Sequence, residues 1–289
     1  MKYLWITIGC VIVLLVFEIM REIHTFRVTQ ERIFSPKLSK MMPEMKIAVL
    51  SDLHNCEYGE KNKKLLKALQ DETPDFILVA GDMLVGLKDT STKIAEEFMT
   101  QAVQIAPVFY GNGNHEQRMK ECPQEYGDVY EKYRSRLMDA GVGFLENESA
   151  EFYWYGEKIT VTGFELPLLY YQKFKNHSLT VPEIEQKIGT ADKEGLQILI
   201  AHNPVYGEAY ANWGADLTVS GHLHGGIIRI PFWGGVITPQ VKLFPKYSGG
   251  KYRVGNGELV VSKGLGMHTI PIRLFNEAEL VMLHIRGRK

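Results

Sequence analysis

Five short apolar runs in this chain each break off into a polar cluster containing Asp, Asn or His, and this recurrence constrains the fold more than any other feature of the sequence. Ile47-Ala48-Val49-Leu50 leads into Ser51-Asp52-Leu53-His54, and Ile77-Leu78-Val79-Ala80 into Gly81-Asp82. Val108-Phe109-Tyr110 leads into Gly111-Asn112-Gly113-Asn114-His115-Glu116, Ile198-Leu199-Ile200 into Ala201-His202-Asn203-Pro204, and Leu217-Thr218-Val219 into Ser220-Gly221-His222-Leu223-His224. Runs of this length and composition read as strands. Amphipathic stretches at 61–70, 93–105 and 126–140 alternate with strands at 46–50, 76–80 and 107–110, which argues for βαβ crossovers and a mainly parallel sheet. Ligands bind such sheets at the carboxyl ends of the strands, so the five polar endings are expected to converge on one crevice.

The second half changes character. Residues 150–155 and 158–163 flank Gly156-Glu157 and read as a hairpin, 196–201 and 216–220 as short strands, and 251–254, 258–261 and 279–285 as alternating strands that close the chain. The expected architecture is a two-sheet α/β sandwich forming one domain over residues 45–289. Lys and Arg total 33 against 34 Asp and Glu, a formal net charge of -1, and no block of five basic residues occurs, so no nucleic-acid partner is expected. Cys56 and Cys122 match no C-x-x-C pattern and read as free thiols.

Ahead of this domain, residues 3–17 carry no charge, and the apolar character continues to Met20 across a single Glu18. Roughly 20 such residues cross a bilayer as a helix, so 3–20 is expected to be a transmembrane anchor and the chain a single-pass cell-membrane protein. A signal peptide needs a small-x-small cleavage site behind the apolar run, and Glu18-Ile19-Met20-Arg21-Glu22 offers none. The side of the membrane stays open: Arg21, Arg27, Arg32, Lys37 and Lys40 place the domain in the cytoplasm by the positive-inside rule, whereas an N-terminal signal anchor usually exports its domain. Residues 21–44, broken at Ser35-Pro36 and Met42-Pro43, are expected to be a juxtamembrane helix and linker.

In an extended segment residues i and i+2 face the same way, so Asp52 and His54 point together into the crevice. A lone D-x-H is common by chance; five such endings in one chain are not. Asp52, His54, Asp82, Asn114, His202, His222 and His224 offer too many donors for one tetrahedral zinc and suit two five- or six-coordinate ions, with a carboxylate able to bridge them. Mixed nitrogen and oxygen donors fit Mn, Fe, Zn, Co or Ni better than Ca or Mg. Two ions about 3.5–4 Å apart suit phosphoryl chemistry, where they bind phosphate oxygens and acidify a bridging water.

The ordered set D-x-H, G-D, G-N-H-E, H-N-P and G-H-x-H resembles the calcineurin-like metallophosphoesterase superfamily, over Met45 to about Ile285. The resemblance implies that Asp52, His54, Asp82 and His224 bind one ion, that Asp82, Asn114, His202 and His222 bind the other, and that Asp82 bridges. It also implies that His115 is the catalytic acid; the blander alternative is that His115 caps a helix beginning at Glu116. The stretches GHLHGGIIRIPFWGG, LFPKYSGGKY and VSKGLGMHTIPIRLF are similar to a membrane-anchored branch that includes diacylglucosamine pyrophosphatase-like proteins. Leu223 and Ile227 stand where that branch commonly has Thr and Gln, and Gly86 where an acid is frequent.

What the resemblance implies is hydrolysis of a phosphodiester or pyrophosphate bond in a phosphorylated small molecule or lipid, such as UDP-2,3-diacylglucosamine, with two divalent ions (Mn, Fe or Zn) as cofactors. The alternatives are a catalytically silent membrane protein that recruits a phosphorylated partner, and a broad-range phosphatase or nuclease. His24, His177 and His284 read as structural, His268 as structural or as a substrate contact, and residues 164–171 as a loop packed on the core, an apolar wall for an acyl chain, or a segment lying on the bilayer.

Overall fold

The computed structural model describes residues 1–172, 175, 177–230, 233–238, 243–267 and 271–288. Helix α1 (Lys2–His24) has 23 residues, about 35 Å at 1.5 Å per residue, and no part of its apolar window is buried inside the protein. By length and composition it can cross a membrane.

The expected linker at 21–44 is instead part of the fold. The last turn of α1 ends at His24 and the chain enters strand β1 (Phe26–Ser35), which pairs in parallel along its ten residues with β14 (Ala278–Gly287). Phe26 and Val28 pack against one core and Ile33 is buried in another, while Arg27, Glu31 and Arg32 interleave with them. Those charges hid the strand, because an edge strand needs only one partner and little apolar surface. Residues 36–44 form turns that bury Leu38 and Met42, so the folded domain begins at Phe26 and not at Met45.

The first sheet runs β1-β14-β2-β3-β4-β5, with β2 (Met45–Leu50), β3 (Phe76–Ala80), β4 (Val108–Gly111) and β5 (Gly143–Phe144) mutually parallel and β14 antiparallel to β2. Helices α2 (Lys63–Glu72), α3 (Lys93–Ala102), α4 (Asn114–Glu121), α5 (Pro123–Tyr126) and α6 (Val129–Asp139) lie between these strands in sequence. The helix expected at 126–140 is interrupted by Gly127, whose φ of +63° ends α5 before α6 begins.

The hairpin of β6 (Ser149–Trp154) and β7 (Glu157–Gly163) opens the second half as expected. There follow α7 (Val181–Ile188), β8 (Leu196–Ile200), α8 (Gly207–Trp213) and β9 (Leu217–Ser220), then a separate small hairpin of β10 (Ile228–Ile230) and β11 (Gly234–Ile237), and finally β12 (Gly250–Val254) and β13 (Gly257–Val261). The second sheet runs β12-β13-β9-β8-β7-β6, with β13, β9, β8 and β7 parallel.

Alternation along β2 shows how the layers stack. Ile47 and Val49 share a core with Val161, Ile198, Ile200 and Val219 of the second sheet, whereas Ala48 and Leu50 share another with Leu65, Phe98 and Tyr133 of the helices. Leu199, Phe164 and Leu166 pack against Ile184, Tyr210 and Trp213 on the far side of the second sheet. The result is an α/β sandwich of two sheets between helical layers, in which each fully buried aliphatic contributes about 1.5–3 kcal/mol. Phe164 and Leu166 thus belong to a core-packed loop, one of the readings open for 164–171. The parallel strands β2, β3, β4, β8 and β9 bring their carboxyl ends to the edge where the polar clusters lie.

Candidate active site

All eight residues singled out for the crevice are buried: Asp52, His54, Asp82, Asn114, His115, His202, His222 and His224; the ligand atoms of all but Asn114 fall into overlapping groups. The chain reaches this geometry through sharp turns directly behind the strands. Asp52, His54, Asp82, His222 and His224 all have left-handed backbone, with φ of 51°, 46°, 57°, 71° and 51°. Asp52 and His54 therefore converge through a turn and not through the extended i, i+2 geometry expected for them. Such conformations are uncommon outside glycine and cost on the order of 1–3 kcal/mol each, so the surroundings must hold them. Two glycines leave the room required: a Cβ on Gly113 would strike the Asp82 carboxylate, and one on Gly221 would strike Ser51 and Asp52.

The two carboxylates are anchored separately. Asp52 accepts from the Ser51 hydroxyl at 2.5 Å and from the His222 backbone N–H at 3.0 and 3.1 Å. Asp82 sits over the start of α4 and accepts from the His115 N–H at 2.8 Å. Burial pushes Asp52 up to about 6, with Asp82 adding to the shift and His202 opposing it. Burial acts against ionisation of Asp82 as well, yet His202, His115 and His54 hold its carboxyl well below the ordinary range.

Three histidines are turned by main-chain carbonyls. His54 Nδ1 lies 3.1 Å from Leu84 O, His202 Nδ1 2.6 Å from Ala80 O, and His224 Nδ1 3.1 Å from Gly266 O. Each Nδ1 is then the protonated donor, and each Nε2 carries a lone pair directed into the crevice. His54 Nε2 and His224 Nε2 face each other at 3.3 Å, His224 Nε2 is 3.5 Å from Asp52 Oδ1, and His202 Nε2 is 3.0 Å from Asp82 Oδ2 without hydrogen-bond alignment. Lone pairs opposed in this way call for a cation between them. In a cation-free chain a proton fills the role at His202, where burial is outweighed by Asp82 and the group is pushed up to about 9. Burial lowers His222, and it lowers His224 to about 3 with Arg273 assisting, so both are held in the neutral form that ligation requires.

His115 differs in one decisive respect. Its Nδ1 accepts the Gly86 N–H at 2.7 Å, so the neutral ring carries its proton on Nε2, 3.9 Å from Asp82 Oδ2. Burial lowers its pKa. Ligand atoms of Asp52, His54 and His224 lie within 4.8 Å of one another, as do those of Asp82, His202 and His222, and those of His54, Asp82 and His115. The tautomer removes His115 from the third set: where the others present a lone pair, it presents an N–H. Helix α4 begins at Asn114, so His115 lies within its first turn and is not a cap.

A family model for calcineurin-like phosphoesterases matches residues 45–226, which carry every one of these side chains. The chain belongs to that family. It is a metal-dependent hydrolase of phosphoric esters. Among relatives, it is 25% identical over 277 residues to the uncharacterized metallophosphoesterase YkuE of Bacillus subtilis, covering 92% of this chain and 87% of that one. It is 23% identical over 244 residues to the phosphodiesterase YaeI of Escherichia coli, covering 83% and 82%. The phosphopantetheinyl hydrolase of Mycobacterium tuberculosis shares the fold with a TM-score of 0.51 at 16% identity, covering 75% of this chain and 88% of that one.

The donor set of this phosphoesterase fits a pair of divalent ions. The Asn114 side-chain oxygen is buried with no hydrogen-bond partner, as is His202 Nε2, whose ligand atom groups with those of Asp82 and His222. Two further residues that sequence reasoning left without a role organise the site. Glu116, fully buried, accepts from the N–H groups of Asp82 (2.8 Å), Leu84 (2.9 Å) and Gly113 (3.0 Å) and from the Tyr110 hydroxyl (3.2 Å). It thus fixes the turn bearing Asp82 and the carbonyl that orients His54. Arg273, buried, donates through Nη2 to the carbonyls of Lys263, Gly264 and Gly266 at 2.9, 3.1 and 2.9 Å, holding the carbonyl that orients His224. Glu116 had a local signal, three residues beyond Gly113 at a helix start; Arg273 had none. The Tyr171 ring stands 4.9 Å from the His222 ring, so residues 164–171 reach the crevice wall. His268 lies outside the described residues.

Proposed function

We propose that this phosphoesterase is a membrane-anchored, two-metal enzyme that hydrolyses a phosphodiester or pyrophosphate bond of a lipid-linked substrate, UDP-2,3-diacylglucosamine being the type expected from the resemblance to the anchored branch. Asp52, His54, Asp82 and His224 would hold one ion and Asp82, Asn114, His202 and His222 the other. The observation that carries the reading is the opposed set of lone pairs around Asp52 and Asp82, which a cation on each side neutralises. A bound pair of divalent ions supplies Lewis acidity toward phosphoryl oxygens and acidifies water for attack on phosphorus. The chain's own contribution is preorganisation: Glu116 and Arg273 hold the ligands, the α4 start stabilises Asp82, and His115 presents Nε2–H as the proton for the departing oxygen.

The name phosphodiesterase carried by YaeI supports the bond type. The apolar helix α1 supports a membrane location and hence a lipid substrate, and its last turn supports a retained anchor over a cleaved signal, since Arg21, Glu22 and Thr25 are bonded to the domain at Glu277 and Asn276. Asn114 and His115 are both present and buried, which supports turnover over a silent recruiting protein. The test is hydrolysis by the Mn2+-loaded full chain in detergent of a diester, a monoester and a lipid pyrophosphate. The lipid pyrophosphate is expected to give the highest kcat/KM; a preference for the monoester would overturn the substrate reading. Resistance of the intact chain to carbonate extraction is expected, and an N-terminus mapped beyond Met20 in the soluble fraction would refute the anchor.

A further inference from the structure

We propose that the N-terminal helix is a structural part of the metal centre: Glu22, acting through Asn276, positions the loop 224–226 and with it the His224 ligand. The proposal rests on the two-metal reading above.

Glu22 is the acid of α1 that the fold buries, at 3% exposure, and its Oε2 accepts the Asn276 backbone N–H at 2.9 Å. A carboxylate withdrawn from water is costly unless it is bonded, so this contact is built and not incidental. Arg21 lies 3.5 Å from Glu22 and 3.2 Å from Glu277, and Thr25 donates to Glu277 at 3.1 Å, tying the end of the helix to the same turn. Asn276, 1% exposed, spends both protons of its amide on the loop: Nδ2 donates to His224 O at 2.7 Å and to Gly226 O at 2.5 Å. Between those carbonyls lies Gly225, where a Cβ would run into the Asn276 side chain, so the amide and the loop interlock.

The ring of His224 is held from the other side by Gly266 O, and Arg273 joins the two supports, donating to Gly266 O at 2.9 Å and to Asn276 O at 3.1 Å. The Asn276 amide therefore fixes the main chain of His224, and the Gly266 carbonyl fixes its ring. Glu22 holds the first support in register. Seating of the helix is thereby coupled to the geometry of the ion that His224 would bind, and not to the ion held by His202 and His222.

The experiment titrates the metal-free full chain in detergent with Mn2+ by calorimetry, for the wild type, Glu22→Ala, Glu22→Gln and Asn276→Ala. The wild type should take up two equivalents. Glu22→Ala and Asn276→Ala should weaken one equivalent by roughly 10- to 100-fold and leave the other unchanged. Glu22→Gln keeps an acceptor oxygen and should restore binding to near the wild-type value. Turnover of Glu22→Ala should fall at limiting Mn2+ and recover in excess, with KM unchanged. Two equivalents bound by Glu22→Ala at wild-type affinity would overturn the coupling. So would equal weakening of both equivalents with a lowered melting temperature of the metal-free chain. A wild type that binds no Mn2+ would instead refute the two-metal reading itself.

Discussion

A chain started at Met45, the boundary that the sequence suggests, should fail to fold stably, whereas one started at Arg21 should fold. Removing residues 1–44 takes away β1, which pairs with all ten residues of β14, and strips away the buried side chains of Ile33, Leu38 and Met42. At about 1.5–3 kcal/mol per fully buried side chain of this size, their loss amounts to roughly 5–9 kcal/mol, comparable with the whole stability of about 5–15 kcal/mol typical of a domain. If any native population remains, its melting temperature should drop by roughly 10–35 °C. The bared edge of β14 would also offer a ten-residue template for pairing between chains, so aggregation should accompany the loss. Thermal unfolding followed by circular dichroism, with size-exclusion chromatography of both truncated chains, measures this directly. A monomeric protein from Met45 onward, melting within a few degrees of the longer one, would show that β1 is dispensable and that the energetic argument is wrong.

Asp82→Asn should reduce bound metal from two ions per chain to fewer than one, whereas His54→Ala should retain one; metal analysis of purified protein decides, and two ions in the Asp82 variant would exclude bridging. His115→Ala should keep both ions while kcat falls roughly 10²–10⁴-fold, most for poor leaving groups. Equal loss on aryl and alkyl diesters, with chemistry rate-limiting for both, would argue against the proton donor. His202 in the cation-free chain stands at about 9 against its ordinary 6.5. Its raised pKa contributes stability that is complete below pH 6.5 and is lost as pH rises through 9. Ion binding displaces the same proton, so Mn2+ affinity should climb across that window, by up to about tenfold per pH unit. Across that window the melting temperature without Mn2+ should fall with rising pH while that with saturating Mn2+ stays level, and parallel curves would refute the assignment.

Much of this protein is legible in its sequence because the signals are local. Short runs such as 47–50 and 77–80 carry their own periodicity, the apolar stretch 3–17 is helical wherever it lies, and Asp, Asn and His behind five strands advertise a crevice before the strands are paired. Tertiary structure decided the rest, for a common reason: the deciding partners are far away in sequence. Residues 26–35 are a strand only because β14, some 250 residues later, offers them an edge; on their own, with Arg27, Glu31 and Arg32 interspersed, they lack the apolar alternation that marks a strand. His115 matches the other crevice histidines in burial, and what sets it apart is the Gly86 N–H on its Nδ1, a partner no local pattern announces. Glu116 and Arg273 acquire their roles from the particular amides and carbonyls that the turns bring to them. Glu22 lies in a helix whose sequence reads as a membrane anchor, and what it holds is set by Asn276, 254 positions along the chain. Periodicity reports which faces are buried, whereas the hydrogen bonds that tune a site depend on backbone groups whose neighbours exist only after the chain has closed on itself.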